Sequence, residues 1–371
     1  MKEAILSVSK DAAVDVSIID SPIPKPGPDE VQIKVAAVAM NPKDWKSAMW
    51  NQIPNNAGDD IAGIISAVGE GILNFTVGQR VAALHPSMTR GGGFAEYAIA
   101  PALSTFHIPD SITFQDAATV PLAGMTAAIG LHLRMSLPTP FMPAPETQKT
   151  PLVVYGAASA VGAFAVKLAV LSGIHPIICI SGRGAEFVSS LIDTTKGDAV
   201  VDYRKGDEAI ASDIRKALAA AGCPETVDYV FDAISEAGSH ENIDQIISNA
   251  GVVMHVHEPD GYKKFGIKEA PERFTRTPSF RYKDGVRVTT TMVNDIFQSH
   301  QYATGDVKDF GFVFSRYFGW LLEEGKLEPH PCELVPGGLG GIKQAQEKLI
   351  KGEASAVKYV VRIEVPNELS G

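Results

Sequence analysis

The run Leu152-Val153-Val154-Tyr155-Gly156-Ala157-Ala158-Ser159-Ala160-Val161-Gly162 constrains this chain more than any other stretch. Four residues that suit a buried strand give way to small ones, and an apolar helical pattern starts at Ala160. Small side chains let the backbone approach a pyrophosphate, and a helix N-terminus offers unpaired N–H groups and a positive dipole end. Ala157, Ser159 and Gly162 stand at the three positions of the GxGxxG pattern, so the strict form is broken. The dinucleotide reading therefore rests on the strand–turn–helix context, with Ala157, Ala158, Ser159, Ala160, Val161 and Gly162 as the cofactor-contacting residues.

The segments beyond Gly162 support that reading. Strand patterns at His175–Ile180, Ala199–Asp202, Tyr229–Asp232 and Gly251–His255 alternate with helical ones at Ala185–Ile192, Glu208–Ala221 and Glu241–Asn249. That alternation predicts a parallel, doubly wound sheet, with Val286–Val293 as a last strand. Val286–Val293 could also pair across a dimer, although Arg287 within it works against that, so monomer and homodimer both stay open.

The first ~110 residues have a different texture. Short apolar runs at Ala4–Val8, Val31–Ala37, Ile61–Val68 and Arg80–Ala83 are punctuated by Pro and Gly, the pattern of a small, partly open β-barrel. Alanines and leucines from Ala117 to Leu133 read as helical, and the prolines from Pro138 to Pro151 read as an exposed loop. Past Val293 the chain reads as helix (Phe312–Glu324), strand (Glu333–Val335), helix (Ile342–Ile350) and strand (Lys358–Ile363), and is expected to return to the first domain.

Charge and composition exclude some classes. Acids outnumber bases 43 to 33 over 371 residues, a net charge of −10 that argues against general nucleic-acid binding. No apolar run reaches the roughly 18–20 residues of a membrane span. The N-terminus lacks the apolar core of a signal peptide, and three cysteines without a CxxC fit a reducing compartment, so a cytoplasmic location is expected.

The cofactor can be narrowed further. An NAD site usually places an acid about 20 residues past the glycines, on the ribose 2′-hydroxyl. Here the strand ends in Ser181-Gly182-Arg183, and the next acid is Glu186. Ser181 and Arg183 suit a 2′-phosphate, since a guanidinium binds phosphate bidentately, and Tyr203 can add a hydroxyl. NADPH is the expected cofactor; the bland reading of Arg183 is a solvated loop charge.

The whole chain resembles the medium-chain dehydrogenase/reductases. The resemblance is carried by Asn41-Pro42-Lys43-Asp44-Trp45-Lys46, Gly58-Asp59-Asp60-Ile61-Ala62-Gly63, Gly78-Gln79-Arg80-Val81, Gly92-Gly93-Phe94-Ala95-Glu96-Tyr97 and Pro121-Leu122-Ala123-Gly124-Met125-Thr126. It implies a GroES-like β-rich catalytic domain (1–122 and 295–371) and a Rossmann NADP-binding domain (123–294). Within that superfamily the chain is most similar to the fungal stand-alone enoyl reductases that serve polyketide synthases, through Gly325-Lys326-Leu327-Glu328-Pro329-His330-Pro331 and Pro336-Gly337-Gly338-Leu339.

The resemblance also places the chemistry. Zinc-dependent members carry Cys where this chain has Asn41 and His-Glu where it has Asp59-Asp60, so no metal is expected. His255 and His257, two apart on one strand, read as strand-end histidines rather than ligands. Without a Lewis acid, hydride transfer to the carbon β to a carbonyl is favoured over carbonyl chemistry. Lys46, Thr126 and Asn41 are the implied catalytic residues, with Thr126 opening the helix over the cofactor, and Lys358 is implied at the cofactor. The leading reading is a zinc-free, NADPH-dependent reductase of enoyl thioesters carried by a partner synthase. A quinone oxidoreductase, and an NADPH-binding protein without turnover, remain open.

Overall fold

The computed structural model describes residues 1–236, 238–257, 280–297 and 305–363. Two compact units divide the chain: Met1–Met125 with Asn294–Gly371, and Thr126–Val293.

The first unit is built around a seven-stranded sheet. Its centre is Glu30–Ala39, a strand that changes partner along its length. Residues 30–34 pair with Tyr97–Pro101, whereas Ala37–Ala39 pair with Lys358–Arg362, and Asp60–Val68 runs along the other edge. Two register shifts against Asp60–Val68 bend the ladder, as bulges do. Arg80–Leu84 and then Thr105–His107 extend the sheet, and Cys332–Leu334 adds a parallel strand beside Lys358–Arg362. Seven of the ten side chains of Glu30–Ala39 are buried, and strand neighbours cover both its edges.

Sequence reading missed three strands here, Val14–Asp20, Tyr97–Pro101 and Thr105–His107, and the helix Pro42–Asn51. Val14–Asp20 buries little beyond Val14, so tertiary burial does not mark it. The helix starts through Asn41, whose extended backbone precedes Pro42 at the first helical position. It buries Trp45, Ala48 and Met49.

The second unit is the doubly wound sheet. Its six strands lie in the order Ala199–Asp202, Ile177–Ser181, Leu152–Tyr155, Val227–Asp232, Ile247–His255, Arg287–Thr290, all parallel. Numbered along the chain this is 3-2-1-4-5-6, so the strand order reverses between Leu152–Tyr155 and Val227–Asp232. Helix Ala160–Leu171 returns from the first strand and is buried along most of its length. Helix Asp207–Ala220 lays Ile210, Ile214 and Leu218 on the sheet beside Ile178, Ile180 and Val230.

Three expectations need correction. Glu241–Asn249 is not one helix: the helix is Ser239–Asp244, and Ile247 opens the strand Ile247–His255, where it pairs with Val227. Ile246 and Ile247 are fully buried, and sheet burial outweighs the helical spacing. The last strand is only Arg287–Thr290, and Val293–Phe297 is a short 3-10 turn. The helical stretch after Ala117 breaks into Phe114–Ala117, Pro121–Ala128 and a wider-turned segment Ile129–Arg134. Among the described residues, no helix is long and apolar enough to cross a membrane.

Candidate active site

In the second unit, the turn after Leu152–Tyr155 is shaped by backbone. Gly156 has φ of +78°, a left-handed conformation open to glycine, and a Cβ there would lie 2.5 Å from Ile234. The N–H groups of Gly156 and Ala157 both bond to the Ile180 carbonyl, at 3.1 and 3.0 Å. Ser159 caps the helix Ala160–Leu171, its Oγ accepting from the Gly162 N–H at 3.1 Å. Gly162 is close-packed: a Cβ would sit 2.2 Å from the Gly156 carbonyl oxygen. The result is a shallow cradle of small residues in front of a capped helix N-terminus, the arrangement that binds a pyrophosphate.

Beside it, Ser181 and Asp202 are register partners at the ends of neighbouring strands. Ser181 is buried, and its Oγ has no hydrogen-bond partner among the described residues. The Tyr203 ring lies against Gly182, where a Cβ would be 2.6 Å from it. Arg183 is exposed. Arg204 is held back on Asp202 by a bidentate pair, with Nη2–Oδ2 at 2.6 Å, and this keeps the Asp202 carboxyl at about 2. Ser181, Gly182 and Tyr203 thus share one strand-end edge, with Arg183 next along the chain. An orphaned hydroxyl, a backbone cradle and an arginine fit an adenosine 2′-phosphate and the pyrophosphate of a nicotinamide cofactor.

The first unit is built differently. Asn41 donates its backbone N–H to Asp44 at 2.8 Å, while its side-chain amide donates to Asp60 at 2.7 Å. Lys358 donates to the same Asp60 oxygen, and the Leu122 N–H donates to the other at 2.7 Å. Lys43 bridges Asp59 and Asp44, the second contact being 3.1 Å, and also donates to the Ala57 carbonyl at 2.8 Å. Asp59 accepts from the Ser87 hydroxyl as well. Burial pushes the Asp44 carboxyl up to about 6, because one ammonium cannot serve two desolvated carboxylates equally and Lys43 lies closer to Asp59. Burial works against the Lys43 charge, but Asp59 and Asp44 outweigh it and raise its pKa.

These contacts place the residues expected from sequence. Lys46 is buried, 7% exposed, one turn into the helix that Asn41 caps, with its ammonium 5.7 Å from the Trp45 ring centre. Thr126 is also buried, but it does not open a helix: Pro121 does, and Thr126 lies in the second turn. Lys358 opens the strand Lys358–Arg362 and is 4% exposed. The ion pair with Asp60 was not read from the sequence, and 298 residues separate its partners. The capping contact between Asn41 and Asp44, three residues apart, is the one local signal that could have marked this region.

Asp59 and Asp60 do not form a zinc site. Asp60 has both oxygens engaged, Asn41 is an amide, and lysine ammoniums stand on both carboxylates. A second acidic cluster lies in the other unit, where one ligand atom each from Asp232, His240 and His255 come within 4.8 Å of one another. Asp232 accepts from the Ile234 and Ser235 N–H groups, the Ser239 hydroxyl and His255 Nδ1. His255 Nε2 meets the Tyr282 hydroxyl at 3.1 Å. Asp232 and His255 are thus engaged in a buried polar network, and the His240 ring packs against that of His255 with centroids 4.5 Å apart. Burial opposes the Asp232 charge, yet the bonds from His255, Ser239 and Ser235 hold its pKa below the usual range. His257 does not share the strand face with His255: the strand ends at His255, and His257 lies 3.7 Å from Glu236.

Comparison with known proteins agrees with this architecture. The alcohol dehydrogenase GroES-like domain family matches residues 27–110. The trans-enoyl reductase fsr4 of Gibberella fujikuroi is 41% identical, covering 92% of each chain. The trans-enoyl reductase ccsC of Aspergillus clavatus is 30% identical, covering 93% of this chain and 92% of its own. Among solved structures, an alcohol dehydrogenase superfamily protein from Novosphingobium aromaticivorans shares the fold, with a TM-score of 0.72, 18% identity and coverage of 98% of this chain and 100% of its own.

Proposed function

The chain belongs to the trans-enoyl reductases of the medium-chain dehydrogenase/reductase superfamily, and on that premise we propose that it reduces the C=C bond of an enoyl thioester carried by a partner polyketide synthase, using NADPH and no zinc. The observation that carries this reading is the neutralised state of the positions that hold metal in zinc-dependent members. Asp59 and Asp60 face Lys43 and Lys358, so that region offers hydrogen-bond donors and ammonium groups but no open ligand set.

When bound, the nicotinamide cofactor supplies a hydride for the carbon β to the thioester carbonyl. Negative charge then gathers on the enolate oxygen of the substrate, donors already fixed in place stabilise it without reorganising, and a proton taken from water at the α carbon completes the reduction. Lys46 and Thr126 are the proposed donors, both buried and both on helices. Asn41 orients the entry to the Lys46 helix. Ser181, Arg183 and Tyr203 hold the 2′-phosphate, and the turn from Ala157 to Gly162 holds the pyrophosphate. In this proposal Lys358 serves the cofactor side through Asp60 rather than by direct contact.

The test is product analysis with C4-deuterated NADPH and an α,β-unsaturated thioester. Deuterium at the β carbon with the carbonyl intact is the expected outcome. Deuterium at the carbonyl carbon, or reduction of quinones alone, would overturn the reaction class.

A further inference from the structure

We propose that Asp60 is a positioning residue for the reduction, fixing the starts of the helices Pro42–Asn51 and Pro121–Ala128; this rests on the enoyl-reductase reading above. The carboxylate is fully buried and anchored by its own backbone. Asp60 opens the strand Asp60–Val68 and pairs with Ala39 on one side and Leu84 on the other, so its Cα is fixed from two directions.

From that fixed point it reaches three separate elements. Oδ2 accepts from the amide of Asn41, the residue that caps Pro42–Asn51. The same oxygen accepts from Lys358 at the start of Lys358–Arg362. Oδ1 accepts from the N–H of Leu122, the second residue of Pro121–Ala128. That helix has no acid in its own first turn. Asp60 therefore provides the capping acceptor and the negative charge that its N-terminus lacks, across 62 residues of sequence.

The two proposed donors sit one turn behind these contacts. Thr126 is four residues past Leu122, and Lys46 is four past Pro42. A shift of either helix start carries its donor with it, and about 1 Å of misplacement costs on the order of 100-fold in rate. Lys358 completes the arrangement by cancelling the charge of Asp60, which leaves a neutral, fully bonded hub. Hydrogen bonding at Asp60 thus acts on the reaction through placement, and no contact of Asp60 with substrate is needed.

The test compares wild type, Asp60→Asn/Lys358→Met and Asp60→Glu, using whichever acceptor wild type reduces from a panel of enoyl thioesters, enones and quinones. The double variant removes both buried charges together, and Asp60→Glu keeps the charge but moves the carboxylate outward by one methylene. Thermal melting, NADPH affinity, kcat, KM and the isotope effect with C4-deuterated NADPH are measured on each. The expected result is a folded protein whose NADPH affinity stays within about threefold, whose kcat falls about 10- to 100-fold, and whose isotope effect rises as hydride transfer becomes limiting. A folded variant of either kind with kcat within about twofold of wild type and an unchanged isotope effect would reduce Asp60 to a structural ion-pair partner. Should the double variant not fold, Asp60→Glu decides by the same two readouts. Wild type that reduces only quinones overturns the substrate assignment, and the Asp60 comparison is then read on that acceptor.

Discussion

At the Leu152–Gly162 turn the chain presents backbone and small side chains drawn from one short stretch, and its neighbouring edge ends in a hydroxyl, a phenol and an exposed arginine. Around Asp60 it does the reverse, burying acids and lysines that come together from opposite ends of the sequence. The first region is open to an anion that arrives from outside. The second is closed on itself, with its acids paired to its own lysines. In energetic terms, the turn depends on close packing and a helix end, whereas the Asp60 region depends on charges that tolerate no missing partner.

That difference is broken most directly at Lys358. Lys358→Met leaves Asp60 charged, buried and held only by two neutral donors. Removing one partner of a buried pair costs about 3–5 kcal/mol, and the loss should be read in urea unfolding of the first unit. Adding Asp60→Asn removes the stranded charge and should restore most of the stability. A Lys358→Met protein that unfolds at the wild-type urea concentration would mean that this pair contributes nothing, and the contrast between the two regions would fail.

The same contrast explains what could be read from sequence. The doubly wound sheet was legible because each βα unit is local: Ala160–Leu171 and Ala199–Asp202 follow from apolar spacing and small turn residues alone. That Ser181 and Tyr203 come to one edge is legible for the same reason, since strand ends a few tens of residues apart lie side by side in such a sheet. Asp60 was visible only as a departure from a metal-binding pattern. Its partners Lys358 and Leu122 are joined to it by tertiary structure, which no periodicity reports. Thr126 was displaced by one helical turn because the helix begins at Pro121, whose fixed φ suits the first position. The helical spacing over Glu241–Asn249 does not mark the end of the helix, because burial of Ile246 and Ile247 in the sheet overrides local spacing.

The second prediction sharpens the open side of the comparison. Arg183→Ala should weaken NADPH binding by about 1–3 kcal/mol, the range of a charge-assisted bond at a partly exposed site. NADH binding should stay unchanged, because NADH lacks the 2′-phosphate. Titration of both cofactors by fluorescence gives the two constants. Equal weakening of both would place Arg183 outside the phosphate site. Unfolding stability should hardly move, in contrast to Lys358→Met, since an exposed side chain leaves no buried charge behind.

The smallest effect concerns protons in the closed region. Asp44 has an ordinary carboxyl value of 3.8, and burial pushes it up to about 6 in the folded chain. Between about pH 4 and 6 the folded state therefore holds a proton that the unfolded chain has released. Stability from this group is fully present below about pH 4 and is lost as pH rises towards 6, with a slope of at most about 1.4 kcal/mol per pH unit. Lys43, the Asn41 N–H and the Gln346 amide donate to the carboxyl and narrow this interval, whereas the charge of Asp59 widens it. Asp44→Asn keeps an acceptor for the Asn41 N–H and does not titrate. The difference in unfolding free energy between wild type and Asp44→Asn should therefore change across pH 4 to 6, with wild type losing ground as pH rises. The variant's own remaining pH dependence then comes from other groups, such as His132, which burial lowers to about 4 and which acts with the opposite sign. A difference that stays flat over that interval would mean Lys43 neutralises Asp44 as completely as Lys358 neutralises Asp60, and the two acids would no longer be distinguished by charge.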